Sequence, residues 1–350
     1  RKLVEIVKAT YFNPKIVVID ETTTALSQEG REELYKHMER IRKSGNTVIF
    51  ISHDLPEIIE KSDTITILRD GVYIDTVKSK DVNENDLKKL MVGREVTGDY
   101  YRSDYGEKVS DEVVLSVKDV TVPGLIENVS FDLHKGEILG FGGLSESGMH
   151  EIGKAIFGAS YDREGTVELA DGTQINDIPT AIKHSIAYTS KDRDNESVVL
   201  NQSIGDNICL PSLDELSGPA HLISDKKKKD FANKFAKQMS VKMVDVNQFV
   251  SNLSGGNKQK VVLARWIGKD SDIVVLDSPT RGIDIKVKQD IYQLMNQMRK
   301  NGKSIIMISE ELMELIGMCD RIMIMKDGKI SGELERDQNL DENGLITMMV

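Results

Sequence analysis

Gly143-Leu144-Ser145-Glu146-Ser147-Gly148 carries a GxxxxG spacing, with the apolar run Ile138 to Phe141 before it and a helix-like stretch to Phe157 after it. Glycines at these places let backbone N–H groups converge on an anion at a helix N-terminus. A phosphate-binding loop of this kind continues with Lys and then Ser or Thr, where this chain has Met149 and His150. GxxxxG alone also suits an ordinary strand-to-helix turn. Its context is Leu253-Ser254-Gly255-Gly256-Asn257-Lys258-Gln259-Lys260, followed by the helical VVLARWI and the strand IVVLD. There Ser254 can cap a helix while Gly255 and Gly256 bring its first amides against a phosphate, which a plain surface helix does not need. Asp20 and Asp277 each close an apolar strand, a position from which a carboxylate can hold Mg2+ through water. Glu21 follows Asp20, and His53 follows the apolar run VIFIS. An acid at a strand end alone suits a turn, and a lone histidine suits a structural role; the joint spacing of Asp20, Glu21 and His53 points to a site.

The elements that must position these residues are set out twice. IVVID (Ile16 to Asp20) lies 257 residues before IVVLD (Ile273 to Asp277), and the register then holds without a gap. Tyr35 meets Tyr292, Gly45 meets Gly302, Ser52 meets Ser309, Glu57 meets Glu314, and Asp70-Gly71 meets Asp327-Gly328. Each copy reads as an apolar run, a long amphipathic segment, another apolar run, a short helical piece and two β-rich runs joined by a DG turn. Short apolar strands alternating with helices imply an α/β fold with a parallel sheet covered on both faces. Residues 94–111 are polar and glycine-punctuated without helical or strand period, and read as a linker. The expected organisation is therefore residues 1–93 as the later part of a first domain, the linker at 94–111, and a complete second domain at 112–350. In this register the first phosphate loop and the first LSGG would fall ahead of Arg1, so the reading expects over a hundred further residues upstream.

LSGG in this context resembles the signature of the ATP-binding-cassette ATPases, P-loop NTPases, and the resemblance covers essentially the whole chain as tandem copies with the first incomplete. It implies ATP and Mg2+ as cofactors. Asp20 and Asp277 would be metal-holding acids, Glu21 the residue polarising the attacking water, and His53 the contact to the terminal phosphate. It also implies that two cassettes pair head to tail. Asp20, Glu21 and His53 would then share a nucleotide with Ser254, Gly255, Gly256 and Asn257, while the loop at Gly143 to Gly148 with Met149 and His150 would form the other site with Asp277. The second copy departs at its catalytic places. Glu21 and His53 correspond to Ser278 and Glu310, a poor base near neutral pH and a side chain that repels phosphate. Loss of a positioned base costs about 10²- to 10⁴-fold, and loss of one charge-assisted phosphate contact, as at Met149, roughly 1.5–3 kcal/mol. Lys191 in YTSKDR stands where the family's second domain carries an acidic or glutamine residue. One working and one degenerate site are expected of an intact molecule, and negligible hydrolysis of these 350 residues alone.

LSGGNKQKVVLARWI, SPTRGIDI and ISEELMELIGMCDRI further resemble the ribose, galactose and xylose class of bacterial sugar importers. That class implies a peripheral subunit on the cytoplasmic face of the membrane, driving an integral permease fed by an extracytoplasmic binding protein. Nucleosides or an autoinducer are alternative cargoes of the same class. A twin-cassette protein acting on ribosomes is an alternative from another class; it calls for a basic arm between the copies and glutamates after both strand-end aspartates, whereas 94–111 holds Arg94, Arg102 and Lys108 against five acids, and Ser278 breaks the second requirement.

Composition is consistent with this. A chain of 350 residues has room for two domains. With 46 Lys and Arg against 57 Asp and Glu the net charge is -11, opposite to the usual nucleic-acid binder, and no nucleic-acid partner is expected. At 39% hydrophobic and 29% charged residues it is an ordinary globular chain. Cys209 and Cys319 are isolated, which argues against a disulfide framework or a zinc site and suits two packed thiols.

Overall fold

The computed structural model describes residues 8–9, 11, 14–20, 22–23, 28–52, 54–69, 72–84, 86–87, 90, 100–105, 108–218, 221–337 and 339–349. The chain divides into two compact units, Arg1–Asp99 with Asp284–Lys286, and Tyr100–Ile283 with Val287–Val350.

The first unit runs β1 (Ile16–Asp20), α1 (Gln28–Lys43), β2 (Thr47–Ile51), α2 (Leu55–Lys61), β3 (Thr64–Arg69) and β4 (Val72–Lys78). β1 and β2 are parallel, with Asp20 opposite Ile51, and β3 and β4 form an antiparallel hairpin. Val17 and Ile19 bury against Leu34 and Met38, one turn apart on α1. The other face of β1 and β2 is exposed at Ile16, Val18, Ile49 and Ile51. The Asp54 side chain caps α2 on the Glu57 amide, and Pro56 stands in the first turn where its missing N–H costs nothing.

The second unit contains β5 (Val113–Val122), β6 (Ile126–His134), β7 (Ile138–Gly143), α3 (Met149–Ile156), β8 (Glu164–Leu169), α4 (Ile178–Lys183), β9 (Ile186–Thr189), α5 (Ile204–Cys209), α6 (Asp225–Gln238), α7 (Gly255–Lys269), β10 (Ile273–Asp277), α8 (Ile285–Lys300), β11 (Ser304–Ile308), α9 (Leu312–Met318), β12 (Arg321–Lys326), β13 (Lys329–Glu335) and α10 (Glu342–Met349). Its main sheet has the order β13-β12-β7-β11-β10-β9. All neighbours are parallel except the edge strand β13. A smaller antiparallel sheet, β6-β5-β8, lies beside it. α3 packs against β5, β7, β10 and β11, and α5, α6 and α7 pack on one another. β7, β10 and β11 are buried at every residue, as expected of strands covered on both sides.

Each first-unit element from β1 to β4 has a counterpart 257 residues on with the same length, down to the register irregularity at Ile67/Leu68 and Ile324/Met325. A buried carboxylate knits each set together. Glu57 accepts from Thr23 Oγ1 (3.1 Å), Ser52 Oγ (2.7 Å) and Tyr35 OH. Glu314 accepts from Ser309 Oγ (2.8 Å), Thr280 Oγ1 and Tyr292 OH at the equivalent places.

Two expectations require correction. The sheet covered on both faces describes the second unit; the described residues of the first show cover on the α1 face of β1. The 94–111 segment is not all linker, because residues 100–105 pack into the second unit. Tyr100 meets the Tyr292 ring edge-on and Tyr101 packs against it at a tilt, and Arg102 is 4% exposed. Its Nη1 donates to Met318 O (2.8 Å), Nη2 to Asp320 Oδ1 (2.7 Å), and Nε to Asp104 Oδ1 (3.0 Å). A segment without periodicity is held here by side-chain pairing, which leaves no periodic trace. The two cysteines are buried and free.

Candidate functional site

The 143–150 segment lies between the buried end of β7 and the first turn of α3. A Cβ on Gly143 would stand 2.7 Å from Met325 O, and one on Gly148, which adopts φ +91, would stand 2.6 Å from Leu125 O. Glycine is thus demanded at both ends of the motif. Leu144, Ser145 and Glu146 form the exposed rim, Ser147 tucks inward, and Met149 is wholly buried. Met149 therefore sits in the core and presents no charge to the loop.

His150 is placed where a metal-binding hydroxyl would stand, and it joins Asp277 and Glu310. Its Nδ1 lies 2.7 Å from Asp277 Oδ1 at the end of β10, and its Nε2 lies 3.4 Å from Glu310 Oε1 and 3.0 Å from Lys191 Nζ. Asp277 is 1% exposed, and its other oxygen faces Tyr188 OH at 3.4 Å. Ser278, at the place corresponding to Glu21, is held at φ +50, uncommon for a residue with a side chain. The arrangement keeps the backbone form of a phosphate cradle, but its residues do not fit a magnesium nucleotide. No lysine emerges from the helix start, and the strand-end carboxylate is already engaged by an imidazole.

Burial alone would lower the His150 pKa; its hydrogen bonds to Asp277 and Glu310 outweigh that, and it lies above the ordinary 6.5. The hydrogen bond with His150, against the opposing effect of burial, together with the Lys191 ammonium, holds the Glu310 carboxyl well below 4.5. A raised imidazole contributes stability that is complete below its unfolded pKa and fades as pH rises through the folded one; a depressed carboxyl contributes above its unfolded pKa and fades as pH falls through the folded one. Both contributions are present together between pH 4.5 and 6.5. The unfolding midpoint of the second unit, followed by the fluorescence of Trp266, should exceed that of His150→Asn most in this window, with the gap shrinking toward alkaline pH. A gap independent of pH would remove the pairing from the account.

Ser254 is the N-cap residue of α7 by backbone conformation, but its hydroxyl does not cap the helix. It accepts instead from Asn257 Nδ2 (2.9 Å), while Asn257 Oδ1 accepts from the Lys242 amide (2.8 Å). Asn257 thus pins the serine and the preceding loop, and the expected capping by Ser254 is replaced by this link. Gly255 and Gly256 form the first turn of α7, half-buried, with the Arg193 guanidinium 3.3 Å from where a Gly255 Cβ would lie. Asp20 ends β1 exposed. Glu21 and His53 lie outside the described residues.

The structure therefore brings residues 143–150 together with Asp277 and adds Lys191, Glu310 and Tyr188. Lys191 and Glu310 were visible as two departures of opposite charge, but nothing in the sequence showed that they meet, nor marked Tyr188 as the neighbour of Asp277.

A sequence profile described as ABC transporter matches residues 126–281. The ribose import ATP-binding protein RbsA of Clostridium tetani is 38% identical over 97% of this chain and 67% of its own length. The xylose import ATP-binding protein XylG of Thermoanaerobacter pseudethanolicus is 43% identical over 97% of this chain and 68% of its own. The chain belongs to the ABC transporter ATP-binding family. Its fold agrees with solved ABC cassettes. A dimeric bacterial ABC transporter cassette superposes with TM-score 0.56 at 22% identity, covering 64% of this chain and 99% of that one. The same cassette is also known as a dimer in a post-hydrolysis state with ADP and Pi. No helix among the described residues is long and apolar enough to cross a membrane.

Proposed function

We propose that the chain is the ATP-hydrolysing subunit of an importer of simple sugars, working on the cytoplasmic face of the membrane with integral permease subunits and, through them, an extracytoplasmic sugar-binding protein. The observation that carries this reading is 38–43% identity to ribose and xylose import ATP-binding proteins across 97% of the chain. Asp20, Glu21 and His53 act with Ser254, Gly255, Gly256 and Asn257 when the two halves of an intact molecule pair head to tail. Asp20 would hold Mg2+, which would supply charge neutralisation to the phosphates. Glu21 accepts the proton of the attacking water, His53 donates to the terminal phosphate, and the first amides of α7 receive it from the opposite side. The Gly143–His150 loop with Asp277 belongs to a second, degenerate site.

The test is uptake. Cells lacking this gene should lose most of their high-affinity uptake of one labelled pentose or hexose, because the step driven by ATP hydrolysis is gone. Uptake should return with the gene and not with its Glu21→Gln form. Unchanged uptake of ribose, xylose and galactose, with loss of nucleoside or autoinducer uptake, would transfer the cargo to those classes. No uptake defect in any of them would overturn the transport reading.

A further inference from the structure

In the second phosphate loop a single carboxylate oxygen of the chain itself gathers three donors. Glu310 Oε1 accepts from Ser145 Oγ at 2.9 Å and from Lys191 Nζ at 2.5 Å, and lies 3.4 Å from His150 Nε2. Ser145 belongs to the loop and His150 to the first turn of α3. Lys191 follows β9, and Glu310 follows β11. Three donors, from the loop, the first turn of α3 and the segment after β9, converge on one anionic oxygen, with charge-assisted bonds of the kind a phosphate oxygen receives at such a loop.

We infer that Glu310 is a built-in phosphate surrogate, seated on the donors of the Gly143–His150 loop so as to close it to magnesium nucleotide, and that its departure uncovers a site for the phosphate of a metal-free nucleotide. Three features lead to this. First, the cation of the site comes from Lys191, because Met149 is buried in the core, and Lys191 is neutralised by Glu310 while the two are paired. Second, Asp277 Oδ1 is occupied by His150, so the strand-end carboxylate holds an imidazole in place of a hydrated metal. Third, the side chains of Glu310 and Lys191 are 35% and 25% exposed, so Glu310 can rotate to solvent without unpacking the core. The carboxyl is held well below its ordinary pKa, in keeping with an anion at neutral pH. This inference rests on residues 143–150 being a phosphate loop and not on the cargo, so its failure leaves the transport reading standing.

The experiment is calorimetric titration of the 350-residue chain with ATP, in EDTA and in excess Mg2+, for the unsubstituted chain, Glu310→Gln and Glu310→Gln with Lys191→Met. The expected result is weak binding by the unsubstituted chain in both conditions, and binding in EDTA tightened about tenfold or more in Glu310→Gln, the scale of one freed charged donor. Added Mg2+ should give no further gain, and Lys191→Met should cancel the improvement. Binding by Glu310→Gln no tighter than that of the unsubstituted chain would overturn the inference. Micromolar, Mg2+-dependent binding by the unsubstituted chain would do so as well, and this arm decides the matter even where a variant does not fold.

Discussion

Glu21→Gln is expected to lower ATP turnover of the assembled transporter by about 10²- to 10⁴-fold, the range for removing a positioned general base. Glutamine keeps the size and hydrogen-bonding reach of the side chain and cannot accept a proton, so nucleotide affinity should stay within a few-fold while phosphate release collapses. The register explains why this residue is singled out. β1 and β2 end on paired residues, Asp20 opposite Ile51, so the chain leaves the sheet at neighbouring points on the way to positions 21 and 53. At the equivalent ends in the second unit, Asp277 lies opposite Ile308, and His150 bridges the strand-end Asp277 and Glu310, which stands two residues beyond β11. Two strand ends in that register can present an acid and an imidazole to one phosphate. The measurement is phosphate release by the reconstituted transporter beside nucleotide binding by the same sample. A loss of turnover below about tenfold, with binding intact, would take the base role away from Glu21.

Arg102→Ala should destabilise the second unit by about 3–5 kcal/mol, the usual consequence of removing one partner from a buried ion pair. The Arg102 side chain is 1% exposed and that of Asp320 6%, so neither partner has water to fall back on. Asp320 Oδ2 also accepts from the Ile138 amide (2.8 Å) at the root of β7, the strand that leads to the phosphate loop. Asp104 pairs with Arg102 at 3.0 Å and also with Arg299. Loss of the guanidinium therefore strands a buried carboxylate beside the strand that positions the loop. Urea unfolding followed by Trp266, which is 6% exposed in this unit, reads the loss directly. A change under about 1 kcal/mol would mean that residues 100–105 lie on the surface of the unit without holding it, as a surface ion pair would.

How much of this was legible in the sequence differs from element to element. The 257-residue spacing located β1, α1, β2, α2, β3 and β4 and their counterparts, because strand and helix periods and the glycine at the helix-to-strand turn at Gly45 (φ +80) are all local properties. GxxxxG was equally visible, since glycine at Gly143 and Gly148 is demanded by close approach and, at Gly148, by backbone conformation; LSGG was visible by residue type and spacing. Burial was not. IVVID and IVVLD are nearly the same string, yet β10 is buried at all five residues and β1 at two, because β9, β11 and α3 pack around β10 while the described part of the first unit offers β1 only α1 and β2.

The sequence by itself determined the repeat, the candidate chemistry at Asp20, Glu21, His53 and Ser254–Asn257, and the erosion of the second copy, since each depends on residue type at fixed spacing along the chain. Tertiary structure alone decided that residues 100–105 are part of the second unit, that Asn257 takes the hydroxyl of Ser254, and that Lys191, His150 and Glu310 meet over the phosphate loop. Those contacts join side chains from separate segments, and an ion pair across such distances has no period and no local propensity for a sequence to display.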